Sequence, residues 1–327
     1  MDIDVFSSKE LPTVFRVLRT ALRPQGLLEP RERVFLDTYA RINGLALAGA
    51  DPLPVMPAEV QIEGAHQRKR LVQLAAVATL LSSPVNPSSV QFVKELSRHL
   101  GAYDQVIQIL QALAKGQVLK VKLLARRRAF KALAKEAYQA EGVIGVFRFF
   151  SALFLGTSVN RDKLWNYKRL GLLPEGTLGR EYWKHLTEVG FGFPGEPGGI
   201  ADTVAYHDIA HVLAAHDTTP QGEIQQGSFQ GGNRREDGFF FVQFVILHFH
   251  HGIQVTPAAP AETGNFDPAK VLWAIHRGAK CNVDMTHQWN FWPLMPLPLE
   301  EARAKCGLLP QAGMNPGLRA CMLERSR

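Results

Sequence analysis

The sequence predicts an all-α protein, a multi-helix bundle with a metal site between helices of its C-terminal half. Two observations predict the helices: the long apolar patterns all recur at about 3.6 residues, and alternating runs joined by hairpin turns are missing. A third predicts the site, because His207 and His211 stand one helical turn apart on an otherwise apolar stripe.

In chain order, helices are expected over Lys9–Leu22 and Arg31–Leu47, followed by the proline-punctuated run Asp51-Pro52-Leu53-Pro54-Val55-Met56-Pro57, a candidate hinge. Leu71, Leu74, Val77 and Leu80 then recur at helical spacing, Ser82–Ser89 interrupts, and Val106, Ile107, Leu110 and Leu113 lead to a stop at Gly116. Between Lys115 and Lys135 the cations Lys120, Lys122, Arg126, Arg127, Arg128 and Lys131 interleave with Leu119, Leu123, Phe130 and Leu133 along one side of a helix. Such a basic amphipathic helix fits an anionic membrane surface. Gly142–Gly156 is the most apolar stretch, but a bilayer needs about 20 residues and Arg148 interrupts it. It reads as a core helix, or as an interfacial element beside the basic one.

The expected organisation is a helical packing or membrane-surface module over residues 1–140, a metal-binding helical domain over 141–310, and a tail over 311–327. Gly190-Phe191-Gly192-Phe193-Pro194-Gly195 matches a dinucleotide fingerprint by letter, yet it follows a helical segment and contains a proline, so it reads as a loop. Neither a phosphate-binding loop nor a nucleophile elbow is present, which removes nucleotide hydrolysis and serine esterase chemistry. Gly227–Gly238 is polar and glycine-rich. Phe239–Val255 is an apolar helix carrying His248, His250 and His251, read as core or surface histidines. A last clear helix has Asp267 as its cap, Pro268 in its first turn and its stop at Gly278. Trp289, Phe291 and Trp292 beyond it suit a wall for a flat aromatic ligand.

With 46% hydrophobic residues, the chain of 327 can build a real core. Cys281, Cys306 and Cys321 are odd in number and widely spaced, which excludes a disulfide framework or a cysteine metal site and points to a reducing compartment. The start, Met1-Asp2-Ile3-Asp4, lacks the basic and apolar regions of a secretion signal. A cytoplasmic protein peripherally associated with the inner face of the membrane is expected. The net charge of +7 is concentrated in the basic helix, and no zinc finger, basic zipper or aromatic RNA-binding signature accompanies it, so nucleic acid is not expected as a partner.

The site is built on Tyr206-His207-Asp208-Ile209-Ala210-His211. On one helix over 200–215, His207 and His211 share a stripe with Ile200 and Val204 and point inward. Burying two imidazoles and the Asp208 carboxylate costs several kcal/mol unless something compensates them. The breakers Asp217-Thr218-Thr219-Pro220-Gln221-Gly222 then turn the chain and start a new helix at about Glu223, which returns a carboxylate to the histidine face. Metal ligands His207, Asp208, His211 and Glu223 follow, with Asp208 alternatively the catalytic base because it lies off the stripe. Such a nitrogen and oxygen set suits a divalent transition metal, zinc first, with iron, cobalt or manganese as alternatives.

The pattern H-D-x-x-H-x11-E formed by these four residues resembles the metal motif of the coenzyme Q (ubiquinone) biosynthesis Coq-four family. Leu173-Pro174-Glu175-Gly176-Thr177-Leu178-Gly179-Arg180-Glu181-Tyr182 upstream is similar to that family's L-P-x-G-T-x-G-x-x-Y segment. Downstream, Trp273–Gly278, Trp289, Pro298-Leu299 and Arg303–Gly307 resemble its closing pattern. The likeness covers about residues 160–310. It implies oxidative decarboxylation and hydroxylation of a prenylated aromatic ring such as a prenylated hydroxybenzoate, with an isoprenoid lipid as ligand and a homodimer or quinone-synthesis complex as assembly. Two other readings stand beside it: a non-catalytic lipid-binding organiser of such a complex, and a His-Asp metal phosphohydrolase drawing further ligands from His248, or from His287 with Asp284.

Overall fold

The structure is a computed structural model and describes residues 1–45, 51–131, 160–197, 202–256 and 259–310. Among these the regular elements are all helical, as expected. They are α1 (Leu11–Leu22), α2 (Pro30–Ile42), α3 (Ala65–Thr79), α4 (Pro87–His99), α5 (Val106–Ala114), α6 (Arg161–Arg169), α7 (Leu178–Val189), α8 (Asp202–Ala214), α9 (Pro220–Asn233), α10 (Phe239–Phe249), α11 (Pro268–Lys280) and α12 (Leu299–Lys305). Residues 118–131 are helical too. Extended pairing among the described residues is confined to two isolated bridges, Thr177 with Pro298 and His251 with Thr263. Leu133, the apolar stretch 142–156 and the tail from 311 lie outside the described residues.

The chain sorts into two compact units. The first takes residues 1–129, 219–232 and 237–279. In it α1 packs on α3 and α4, and α3 and α4 both pack on α5. The buried faces follow the helical period, with Val14, Leu18 and Ala21 on α1 and Leu71, Leu74, Ala75 and Ala78 on α3. Helix α2 stops at Ile42 rather than running to Leu47, because Gly44 takes a left-handed φ of +70° and the Leu45 N–H bonds back to the Ala40 carbonyl.

The helix expected at about Glu223 runs through the glycine-rich stretch to Asn233. A Cβ on Gly227 would lie 2.2 Å from Val245 Cγ1, one on Gly231 2.4 Å from Val242 Cγ2, and one on Gly232 2.0 Å from the Ile275 carbonyl oxygen. These glycines let α9 approach α10 and α11 more closely than any side chain would allow. The helix is buried although its letters are polar, with Gln225, Gln226, Ser228 and Gln230 all inside.

Helix α10 ends at Phe249, short of Val255, because the next two histidines tie the chain to the end of α3. His250 Nε2 and His251 Nε2 each stand 3.0 Å from a carbonyl oxygen, of Leu81 and Leu80 respectively. His250 Nδ1 accepts the Phe266 N–H, and His248 Nδ1 accepts that of Val255. These histidines are core staples, as expected.

A correction to the sequence reading concerns the basic helix. Arg128 is not on its solvent face: it is 8% exposed and pairs with Asp104 at 2.6 Å and with Asp237 at 2.9 Å. Its guanidinium also lies 5.3 Å from the Phe239 ring centroid. Burial is the largest influence on the Asp104 carboxyl and raises it, but the Arg128 charge and the hydrogen bonds from Arg128, the Val106 N–H and Gln73 together outweigh it and hold that group below the ordinary carboxylate range.

The second unit takes residues 130–218, 233–236 and 280–327. Here α7 packs on α8, and α12 packs on both.

Candidate metal centre

Helix α8 carries the two histidines one turn apart, as the spacing predicts. Ala205, Ile209, Ala210 and Leu213 are buried on the same helix. His211 is 1% exposed, His207 is half-buried, and their Nε2 atoms stand 3.0 Å apart. Two nitrogens held about 2.0–2.1 Å from a zinc ion, at angles between a right angle and the tetrahedral one, are about 2.8–3.4 Å apart. The 3.0 Å separation falls in that range and is equally that of a hydrogen bond between two imidazoles.

The tautomer fits as well. His211 Nδ1 lies 3.1 Å from the His216 carbonyl oxygen, which can only accept, so Nδ1 carries the proton. In the neutral ring Nε2 then presents its lone pair towards His207. The backbone arranges this contact. Ala215 adopts a left-handed φ of +56° at the end of α8, the His216 N–H bonds to the His211 carbonyl, and the turn brings the His216 carbonyl back under the imidazole. A non-glycine residue in that region costs about 1–2 kcal/mol.

The next helix starts earlier than Glu223. Thr219 caps it, its Oγ1 accepting the Gly222 N–H at 3.1 Å, and Pro220 opens it, which places Glu223 in the first turn. One ligand atom from each of His207, His211 and Glu223 lies within 4.8 Å of the others, and the three could hold a metal ion. Asp208 is 3% exposed and is not in this group.

Three features around α8 had no place in the sequence reading. His185 of α7 stacks on His211 with ring centroids 5.7 Å apart and planes at 23°. Its signal was its position three residues after Tyr182 and one before Leu186, both fully buried, which puts it beside the inward stripe of α7. His216 supplies a carbonyl, for which no side-chain pattern exists. Arg303 of α12 donates from Nε to the Leu213 carbonyl at 2.7 Å and from Nη2 to the Val212 carbonyl at 3.1 Å, capping α8 at its C-terminal end.

Segments far apart in sequence meet here. The Leu178 and Gly179 N–H groups bond the Leu297 and Met295 carbonyls at 2.9 and 2.8 Å, and the Leu299 N–H bonds the Gly176 carbonyl at 2.9 Å. Gly179 suits this close approach, because a Cβ there would lie 2.6 Å from Leu173 Cδ1 and 3.0 Å from the Met295 carbonyl oxygen, so both neighbours would have to shift. The expected aromatic wall is a network. Phe291 contacts Trp289, Trp292, Tyr167 and Tyr206, the last at 5.8 Å edge to face and adjacent in sequence to His207.

The further ligands required by a phosphohydrolase have other partners. His248 uses Nδ1 for the Val255 N–H and Nε2 for the Ala259 carbonyl. Asp284 accepts from the Arg235 and Thr286 N–H groups.

No protein-family model and no curated protein matches the chain. Among solved structures it is similar to a Nostoc punctiforme protein described as a candidate ubiquinone biosynthesis protein, at 18% identity over 74% of this chain and 97% of that one. The TM-score is 0.30. No described helix is long and apolar enough to cross a membrane.

Proposed function

We propose that the chain is a metal-dependent enzyme of the quinone-biosynthesis type, acting on a prenylated aromatic ring and replacing the ring carboxylate with a hydroxyl. The observation that supports the metal part best is the pair of imidazole nitrogens 3.0 Å apart, with the proton of His211 already committed to a backbone carbonyl. His207, His211 and Glu223 would hold the ion. When bound, it supplies a positive centre for a carboxylate or phenolate and open positions for oxygen chemistry. The ring chemistry rests on the ordered sequence motifs and on the aromatic network around Tyr206 and Phe291.

The reaction expels the ring carboxylate as carbon dioxide and installs a hydroxyl, a two-electron oxidation, so dioxygen or an equivalent oxidant is a co-substrate. Balanced, the ring carboxylic acid, water and dioxygen give the ring hydroxyl, carbon dioxide and hydrogen peroxide, and Asp208, buried beside the ligands and outside their group, is the base that takes a proton from the water whose oxygen enters the ring. The organiser reading uses the same residues structurally and predicts lipid retention without turnover.

The deciding experiment offers the natively purified protein a prenylated hydroxybenzoate labelled with ¹³C in its carboxyl group, under air, and measures labelled carbon dioxide together with bound metal. His211→Ala should lose both signals, and Asp208→Asn should keep more metal than turnover. Wild-type metal content in His207→Ala, His211→Ala and Glu223→Ala proteins would remove the site. Phosphate release from phosphoesters would favour the hydrolase.

A further inference from the structure

Helical residues 118–131 present a face that neither the metal centre nor the core uses. Val121, Ala125 and Arg128, at i, i+4 and i+7, point into the first unit and are buried. On the opposite side Leu119 is 82% and Leu123 67% exposed, with Val118 and Phe130 exposed before and after them. Between Lys115 and Lys131 the sequence has seven cations and no acid, as large an excess as the whole chain's +7. Among the described residues Arg128 is the cation of this helix with carboxylate partners, the buried Asp104 and the exposed Asp237. Lys115, Lys120, Arg126, Arg127 and Lys131 are exposed and Lys122 half-exposed, all flanking the leucines.

We infer that this face docks on an anionic lipid bilayer, with the leucines entering the acyl boundary and the cations meeting the headgroups. The occupant follows from the two properties together. Cations alone would suit nucleic acid, whose phosphates offer no apolar layer for leucines standing in the middle of the charge. A partner protein would cover the leucines but does not call for six cations around them without an acid. A bilayer rim supplies an apolar layer under a negative sheet, and a helix lying in that plane satisfies both. The depth is that of a surface contact, since no described helix can span the membrane.

The test is co-sedimentation of the full chain with vesicles of phosphatidylcholine alone or of phosphatidylcholine mixed with phosphatidylglycerol. Binding is expected only to the anionic vesicles and should fade as salt is raised. Each cation near such a surface strengthens binding about fivefold, so Lys120→Gln, Lys122→Gln and Arg127→Gln together should weaken it on the order of a hundredfold. Leu119→Ser and Leu123→Ser should each weaken it about tenfold or more. Lys69→Gln, an exposed cation on α3, should leave it unchanged. All these side chains reach solvent, and an unaltered thermal midpoint verifies that each variant folds. Failure to bind anionic vesicles at low salt overturns the inference, as does equal binding to neutral ones or wild-type binding by the triple variant. A duplex oligonucleotide that binds as tightly and loses affinity with the same triple substitution would make the face a nucleic-acid site instead. A wild-type dimer that Leu119→Ser dissociates would make it a self-interface.

Discussion

His211 is held on two sides: the His216 carbonyl fixes its Nδ1 proton, and the His185 ring lies against its face. A ligand imidazole must point its lone pair at one place, and groups that hold such rings are commonly worth about 10–100-fold in metal affinity. His185 is a positioning residue on this geometry. His185→Ala is expected to lower cobalt(II) affinity about tenfold and to alter the visible absorption of the bound cobalt, whereas His185→Phe keeps a flat ring and most of both. Competition against a chelator of known strength measures this, and unchanged affinity in the alanine variant would rule the role out. His185 was not legible in the sequence as part of the site because only the packing of α7 on α8 sets it against His211.

At the scale of the element, two devices shape the first unit. Helix α9 is polar and glycine-rich by composition, and its glycines allow contact with α10 that no side chain permits. Alanine favours helix over glycine by about 1 kcal/mol, but at Gly231 its Cβ would meet Val242 Cγ2 at 2.4 Å. Gly231→Ala should therefore destabilise the protein by about 1–3 kcal/mol, and a urea midpoint at or above that of the wild type would contradict this. The second device is the pair His250 and His251 on the end of α3. Burial, reinforced by His250, pulls His251 down to about 4 against the raising effect of its bond to Leu80, and burial lowers His250 as well. A neutral folded histidine faces an unfolded chain that protonates below about 6.5. The stability it contributes is complete above that pH and is lost as pH falls towards about 4. For His251 the loss is about 3 kcal/mol. Stability measured by urea unfolding across this window should fall for the wild type and flatten in His251→Gln, whose amide can still donate to Leu80. An equally steep profile in the variant would show that other groups carry the acid sensitivity.

Across the whole molecule, one buried cation joins distant pieces of the first unit. Arg128 bonds Asp104 just before α5, Asp237 just before α10 and Gln243 within it, at 2.6, 2.9 and 3.2 Å. Gln73 of α3 donates to the same Asp104 at 2.9 Å. Removing one member of a buried pair leaves the other charge uncompensated, at a cost of about 3–5 kcal/mol. Arg128→Met should lower stability by that much. Replacing Asp104 by Asn in the same chain should recover part of the loss. A single Arg128→Met variant as stable as the wild type would show the network to be dispensable.

The helical class, the histidine pair and the return of Glu223 were legible in the sequence alone, because each follows from a local pattern: the helical period, the offset of four, and the run of turn formers over 217–222. Tertiary structure decided what depends on neighbours distant in the chain. Whether Arg128 faces lipid or Asp104 depends on which side of its helix meets the core, and cations on both sides hide that in the letters. Whether Gly227–Asn233 is loop or helix depends on the valines of α10 and the Ile275 backbone, which glycines fit and composition cannot reveal. The partner of the His211 proton is a backbone carbonyl aimed by the left-handed turn at Ala215, and a carbonyl leaves no signature in a side-chain sequence.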